Sequence, residues 1–107
     1  MEVTFTAELW LHDGEGSWHF VTVPADLSDD VRSRCGGRAG GFGSLRVEAT
    51  ALGAPDTTER SRVGGTTWRT SIFPSGSGEY VLPVKKAVRR AEDVAAGDVI
   101  EVSLLLP

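Results

Sequence analysis

Between Val3 and Leu11 apolar and polar side chains alternate: Val3, Phe5, Ala7, Leu9 and Leu11 share one face, and Thr4, Thr6, Glu8 and Trp10 the other. A period of two marks a strand with one face in a core. Gly14 and Gly16 in HDGEGS permit positive φ, so the chain is expected to turn back as a hairpin. Trp18–Val23, rich in aromatic and β-branched residues, is the predicted return strand, ended by Pro24. A short helix is expected next, with Ser28 as its N-cap, Asp29 and Asp30 near the positive end of its dipole, and Gly36 and Gly37 as its stop. The loop GGRAGGFG then leads into a third strand, Ser44–Leu52.

The second half repeats this order. Thr66–Phe73 is a predicted strand around Trp68, PSGSGE is its turn, and Tyr80–Leu82 is the return strand. Pro83 suits the first turn of a helix over Val84–Ala91, where Val84, Ala87, Val88 and Ala91 fall at i, i+3, i+4 and i+7 and form one apolar stripe. AAGD turns the chain into a last strand, Asp98–Leu105, with Ile100, Val102 and Leu104 facing inward. Each half therefore reads hairpin, proline, short helix, glycine, strand, with Trp10 and Trp68 on equivalent strands and LRVEA answered by VIEVS. Half-units of about 1–52 and 64–107 are joined by a polar linker, 53–63, within GAPDTTERSRVGG. Neither half alone could bury both faces of a three-stranded sheet, whereas pairing the two closes the sheet and removes its edges. The expected architecture is mainly β with two short helices: one pseudo-twofold barrel made of two hairpin-helix-strand units.

Composition narrows the setting. A chain of 107 residues fits one domain, and 40% hydrophobic with 24% charged residues is ordinary globular usage, which argues against wholesale disorder. No apolar run reaches the length of a bilayer span, and MEVTFTAELW does not read as a secretion signal. Cys35 is the only cysteine and cannot form an internal disulfide. Together these favour the cytoplasm. The net charge of −4 repels nucleic acid and anionic membranes, so a phosphate backbone could be held only by a local basic patch.

Four motifs in order resemble a known bacterial family. They are W-x-F-V-x-V-P at Trp18–Pro24, F-G-x-x-x-V-E-A at Phe42–Ala49, W-x-T-S-I-F-P at Trp68–Pro74, and Y-x-L-P-V-K-K-A-V-R-R-A at Tyr80–Ala91 followed by G-D-V-I at Gly97–Ile100. The chain is similar through them to domain-of-unknown-function family 1905. That resemblance implies a double-split β-barrel, related in shape to the AbrB-like and MraZ-like transcription factors, and it implies neither an activity nor a cofactor. The extended connection Gly53–Gly65 and the glycine-heavy loop Gly36–Gly43 depart from the family pattern.

The most pointed chemistry is the basic cluster Lys85, Lys86, Arg89 and Arg90, in which two like-charged pairs stand four apart on the predicted helix. Such pairs cost roughly a few tenths of a kcal/mol each, so the cluster calls for a reason. Structurally, a helix C-terminus attracts cations, and Glu92, Asp93 and Asp98 could neutralise them. Functionally, the cluster would hold a phosphate or carboxylate. Trp10, Trp18, Trp68 and Tyr80 are the second feature, either core or the lining of a groove. Arg69, Thr70, Ser71 and Ser75 add polar groups near Trp68, but no G-x-S-x-G elbow surrounds a serine, and His12 and His19 are the only histidines. No catalytic residue is assigned. His12, Asp13 and Glu15 match no metal motif, and GGRAGGFG lacks the G-K-[ST] ending of a phosphate loop. Cys35 is read as a small buried thiol at a helix end.

These features point to a non-catalytic binding module for a small anionic ligand or a protein segment. Trp10, Trp18, Trp68, Arg69, Ser71, Tyr80, Lys85, Lys86, Arg89 and Arg90 are its candidate contacts; no metal, cofactor or membrane is involved. The alternatives are a nucleic-acid-binding regulator of AbrB-like type, disfavoured by net charge, and a small-substrate enzyme using Arg69, Ser71 or the basic flank. A monomer or weak dimer is expected, because one chain supplies both halves.

Overall fold

The computed structural model describes residues 1–14, 16–38, 43–53 and 65–107. The proposed linker, apart from Gly53, and the centre of the glycine-heavy loop, Phe42 included, lie outside these residues. Seven strands, β1 (Glu2–Glu8), β2 (Trp10–Leu11), β3 (His19–Thr22), β4 (Leu45–Gly53), β5 (Thr66–Pro74), β6 (Tyr80–Pro83) and β7 (Val99–Leu105), join in the order β1-β7-β4-β5-β6-β3-β2. Every pairing is antiparallel. The two ends of that order, β1 and β2, are neighbours in the chain, separated only by Leu9. One long strand thus bends and lends its first part to β7 and its second to β3, which nearly closes the sheet into a barrel. Leu9 at the corner is fully buried and is held by the bonds Leu9 N to Asp98 O and Gly97 N to Leu9 O, each 2.8 Å.

The second long strand repeats this arrangement. β5 gives Thr66–Ile72 to β4 and Phe73–Pro74 to β6. The remaining pairs, β4 with β7 and β3 with β6, each join a strand of one half to its counterpart in the other. Exchanging the halves leaves the whole set of pairings unchanged. Hydrogen bonds fix the correspondence residue by residue: Val23 N donates to Tyr80 O at 2.8 Å, and Val84 N donates to His19 O at 2.9 Å, so Val23 corresponds to Val84. The registers then match Leu9 to Ile72, Phe5 to Trp68, and Trp10 to Phe73. Trp10 and Trp68 lie on equivalent strands, as expected, but at different positions of them.

Inward alternation fills the barrel. Leu45, Val47, Ala49 and Ala51 of β4 face Ile100, Val102 and Leu104 of β7, with Phe5, Val21, Trp68, Ile72 and Leu82 completing the wall, all buried. Leu11, expected on this face, is instead exposed, because the strand has already passed its corner and runs out into the hairpin. At the entrance to β5 a Cβ on Gly65 would stand 2.0 Å from Ala51 O, so only glycine fits there.

Both helices differ from the expected boundaries. α1 spans Ala25–Cys35 with Pro24 at its N-cap position, and no side chain caps it. Asp26, not Asp29 or Asp30, lies in its first turn; Gly36 is right-handed, and the chain continues into one 3-10 turn instead of stopping. Ser28 is buried in the helix interior, where it has a different task. Its Oγ donates to Val23 O and accepts from Tyr80 N, both at 3.0 Å. A rung of the β3–β6 ladder is thereby relayed through a hydroxyl, and α1 is fastened to these two strands.

α2 spans only Lys86–Glu92, with Pro83 ending β6 and Lys85 at the N-cap. Ala87 and Ala91 are exposed, so the expected stripe fails; the buried positions are Val84 ahead of the helix and Val88 and Glu92 within it. Glu92 accepts from Thr66 N at 3.1 Å and from Thr66 Oγ1, pinning the start of β5. In the half-to-half correspondence Ser28 matches Arg89, and the two make the same bond: Arg89 Nε donates to Val84 O at 3.2 Å.

Removing the Ser28 hydroxyl leaves a buried N–H and a buried C=O without their partner, so Ser28→Ala is expected to destabilise the fold by about 2 kcal/mol. Urea denaturation checks this, with the midpoint falling at unchanged slope.

Candidate functional site

The sharing of β5 between two partners leaves a seam. Ser75 N donates to Glu79 O at 2.8 Å, which sets the main-chain groups of Ser75, and by the two-residue repeat those of Phe73, Ser71 and Arg69, toward the β6 side. β6 meets only Phe73 and Pro74. The next rung would set Pro83 against Ser71, and proline has no N–H to donate. There the chain leaves β5 and turns into α2.

The seam opens as a cleft of about 530 Å³. Its walls are Trp68, Arg69, Thr70 and Phe73 of β5, Pro83 at the end of β6, Val84 and Lys85 ahead of α2, Lys86 and Arg89 on α2, and Gly16–His19 from the first hairpin. That volume is in the range of small-molecule sites. No carboxylate lines it among the described residues.

Three cations stand on the α2 side. Lys85 and Lys86 are exposed, and Arg89 is half-buried with its Nε on Val84 O. Among the described residues no carboxylate lies within 4.0 Å of these three or of Arg90. The neutralisation expected from Glu92 and Asp98 does not occur: Glu92 serves Thr66, and Asp98 accepts from Ala95 N at 2.8 Å. Arg69, on the opposite wall, is 3.7 Å from Glu48 in a highly exposed pair that contributes little.

The aromatic wall comes from the hairpin. Trp18 is 54% exposed, yet its ring lies nearly parallel to Phe20, 6.1 Å between centroids and 12° between planes. Trp10 packs on the same Phe20 at 5.1 Å. Gly16, at φ +92°, lets the indole settle, for a Cβ there would come within 2.9 Å of Trp18 Nε1. His19 Nδ1 donates to Ser17 O at 2.8 Å and bridges the turn. Trp68 is 5% exposed, and its Nε1 has no acceptor among the described residues. A buried N–H without a partner costs about 1–3 kcal/mol.

The structure therefore gathers Trp18, Trp68, Arg69, Lys85, Lys86 and Arg89 around one space, and sets the other sequence candidates elsewhere. Trp10 is not among the lining residues, and its Nε1 is already satisfied by Thr22 Oγ1 at 3.0 Å. Tyr80 is buried under α1, with the Arg32 guanidinium 5.6 Å above its ring. Ser71 is not among the cleft's lining residues and faces an adjoining hollow with Arg46, Glu48 and Pro107, which shares Arg69, Thr70 and Phe73 with the cleft. Arg90 is exposed and outside the cleft. Gly16, Ser17, His19, Phe73, Pro83 and Val84 are lining residues that the sequence did not announce, although Gly16 just ahead of Trp18 was a local signal.

Elsewhere, Cys35 is a buried free thiol. The His12 ring packs edge-on against Phe20 at 6.0 Å, and Glu15 lies outside the described residues. Among those residues no group of three His, Cys, Asp or Glu could hold a metal ion, and no helix is long and apolar enough to cross a membrane.

Comparison with known proteins adds one finding. A family profile described as Domain of unknown function (DUF1905) matches residues 5–59 and 60–104. No curated protein matches the chain.

Trp18 is the most exposed of the cleft's indoles, and Trp68 the most enclosed. Trp18→Phe is therefore expected to remove most of the fluorescence readily quenched by acrylamide, leaving the protected emission of Trp68 in place.

Proposed function

The chain belongs to the DUF1905 family, and since that description assigns no activity, we infer the function from the cleft: this domain is a non-catalytic binding module for a small anionic ligand. The observation that carries this reading is the set Lys85, Lys86 and Arg89, three cations on one wall with no carboxylate within 4.0 Å among the described residues. Cations left together in this way repel one another, and an incoming anion relieves the repulsion while it gains charge-assisted hydrogen bonds. The apolar floor of Trp68, Val84 and Pro83 lowers the local dielectric and strengthens that attraction. A ligand oxygen brought to Trp68 Nε1 would also supply the acceptor this buried N–H lacks.

Several features favour holding a ligand over transforming it. Acid–base catalysis needs a paired donor and acceptor, and among the described residues the lining contains no carboxylate. His19 is the one imidazole, and its Nδ1 is engaged by Ser17 O. The extent of the cationic wall also favours a small ligand over a nucleic-acid backbone, because Arg90 lies outside the cleft and the chain as a whole carries −4.

Calorimetric titration with inorganic phosphate at low ionic strength tests the reading. Binding is expected to weaken steadily with added salt, and Lys86→Ala to weaken it about threefold to tenfold, the effect of a contact worth ~0.7–1.4 kcal/mol. Arg90→Ala is expected to leave it unchanged. Phosphate binding insensitive both to salt and to Lys86→Ala would refute the assignment.

A further inference from the structure

Resting on the anion-binding reading above, we propose that the ligand also carries a flat aromatic ring, which stacks on Trp18 while its negative group meets Lys85, Lys86 and Arg89. The ligand class is a small planar anion, such as a nucleoside phosphate or an aromatic carboxylate.

The first ground is the state of Trp18. Half of a large apolar ring is in water, where burial would be favourable. The ring is nonetheless held in place. Phe20 lies nearly parallel to it, and Gly16 provides a surface that any other residue would disturb, by a Cβ 2.9 Å from the indole nitrogen and by a backbone at φ +92°. An exposed ring fixed by its neighbours has little rotamer freedom left to lose when something stacks on it.

The second ground is the continuity of the ring contacts, tilted by 37° at Trp10–Phe20 and stacked at Phe20–Trp18. Trp10, Phe20 and Trp18 form a run of rings with centroid separations of 5.1 Å and 6.1 Å, both within the range of favourable aromatic pairs. Trp18 is the member of this run that reaches the cleft. A ligand ring there would be the next member of a series the fold has already built.

The third ground is the partition of the lining. The exposed indole, Trp18, comes from the first hairpin, and the cations without a carboxylate partner, Lys85, Lys86 and Arg89, come from α2 and its N-cap, while Arg69 across the cleft is paired with Glu48, so ring and free charge stand on different walls of one space. A bare anion would use only one wall. An anion attached to a planar ring uses both.

Calorimetry on the intact chain with four probes tests this: inorganic phosphate, adenosine, adenosine monophosphate and 1-naphthoate, on wild type, Trp18→Ala and Trp18→Tyr. At least one ring-bearing anion is expected to bind tenfold or more tightly than phosphate, with adenosine weaker than adenosine monophosphate. Trp18→Ala should erase that advantage and leave phosphate affinity within about twofold, whereas Trp18→Tyr, which keeps a ring, should retain most of it. Circular dichroism confirms that each variant is folded. Ring-bearing anions that bind no better than phosphate, or whose advantage survives Trp18→Ala, overturn the inference while leaving the anion site standing. If none of the anions binds, both readings fall. Which of the two ring-bearing anions binds tighter separates a phosphate from a carboxylate ligand.

Discussion

The architecture depends on two strands that each serve two partners. At Leu9 and at Ile72 a long strand parts from one neighbour and joins another, and both corner residues are completely buried. Without the corners the chain would form two small open sheets, each with wet edges and half a core. With them, the sheet curls on itself and the inward residues of both halves meet in one interior. The bends cannot be made without consequence. A strand that changes partners leaves part of an edge unpaired, and at β5 that gap is held apart by Pro83, which cannot supply the next ladder bond.

The cleft is therefore a product of closure, not a pocket added to a finished barrel. Its floor is core material, since Trp68 and Val84 belong to the buried interior and are reached through the seam. Its rim is surface material from two segments far apart in sequence, the first hairpin and the start of α2. Such a site combines a low-dielectric base with charged and aromatic edges.

The order of elements was legible in the sequence because alternation and glycine–proline punctuation are local signals. The strands Leu45–Gly53, Thr66–Pro74 and Val99–Leu105 fall within a residue or so of their expected bounds. The corner at Leu9 was not legible, since alternation from Val3 to Leu11 runs through the bend unchanged; it emerges only from which strand lies alongside. Ser28 departs from the expected cap role for a related reason. A serine near a helix start is a natural cap, and only the proximity of Val23 and Tyr80, distant from each other in sequence, turns it into a ladder relay. Glu92, a candidate to neutralise the basic cluster, is instead buried and accepts from the main chain of Thr66, a partner 26 residues away that no local pattern announces. Of the site, the basic residues and Trp18 could be named from composition and spacing. Their separation from Tyr80, Ser71 and Arg90 could not, because it depends on which face of a strand or helix looks into the seam.

The matching of Ser28 with Arg89 shows how two equivalent joints have taken different roles. Each side chain reaches back to the carbonyl five residues earlier, Val23 O or Val84 O, so the original geometry persists in both. At the first joint a short hydroxyl goes on to bridge the strands, and the flanking Pro24 and Ala25 bring no charge. At the second a long guanidinium holds the same carbonyl from a distance, and Lys85 and Lys86 occupy the flanking places. One copy of the unit has become a rivet and the other a mouth. The barrel is thus fastened across its strands at one joint and open beside the other.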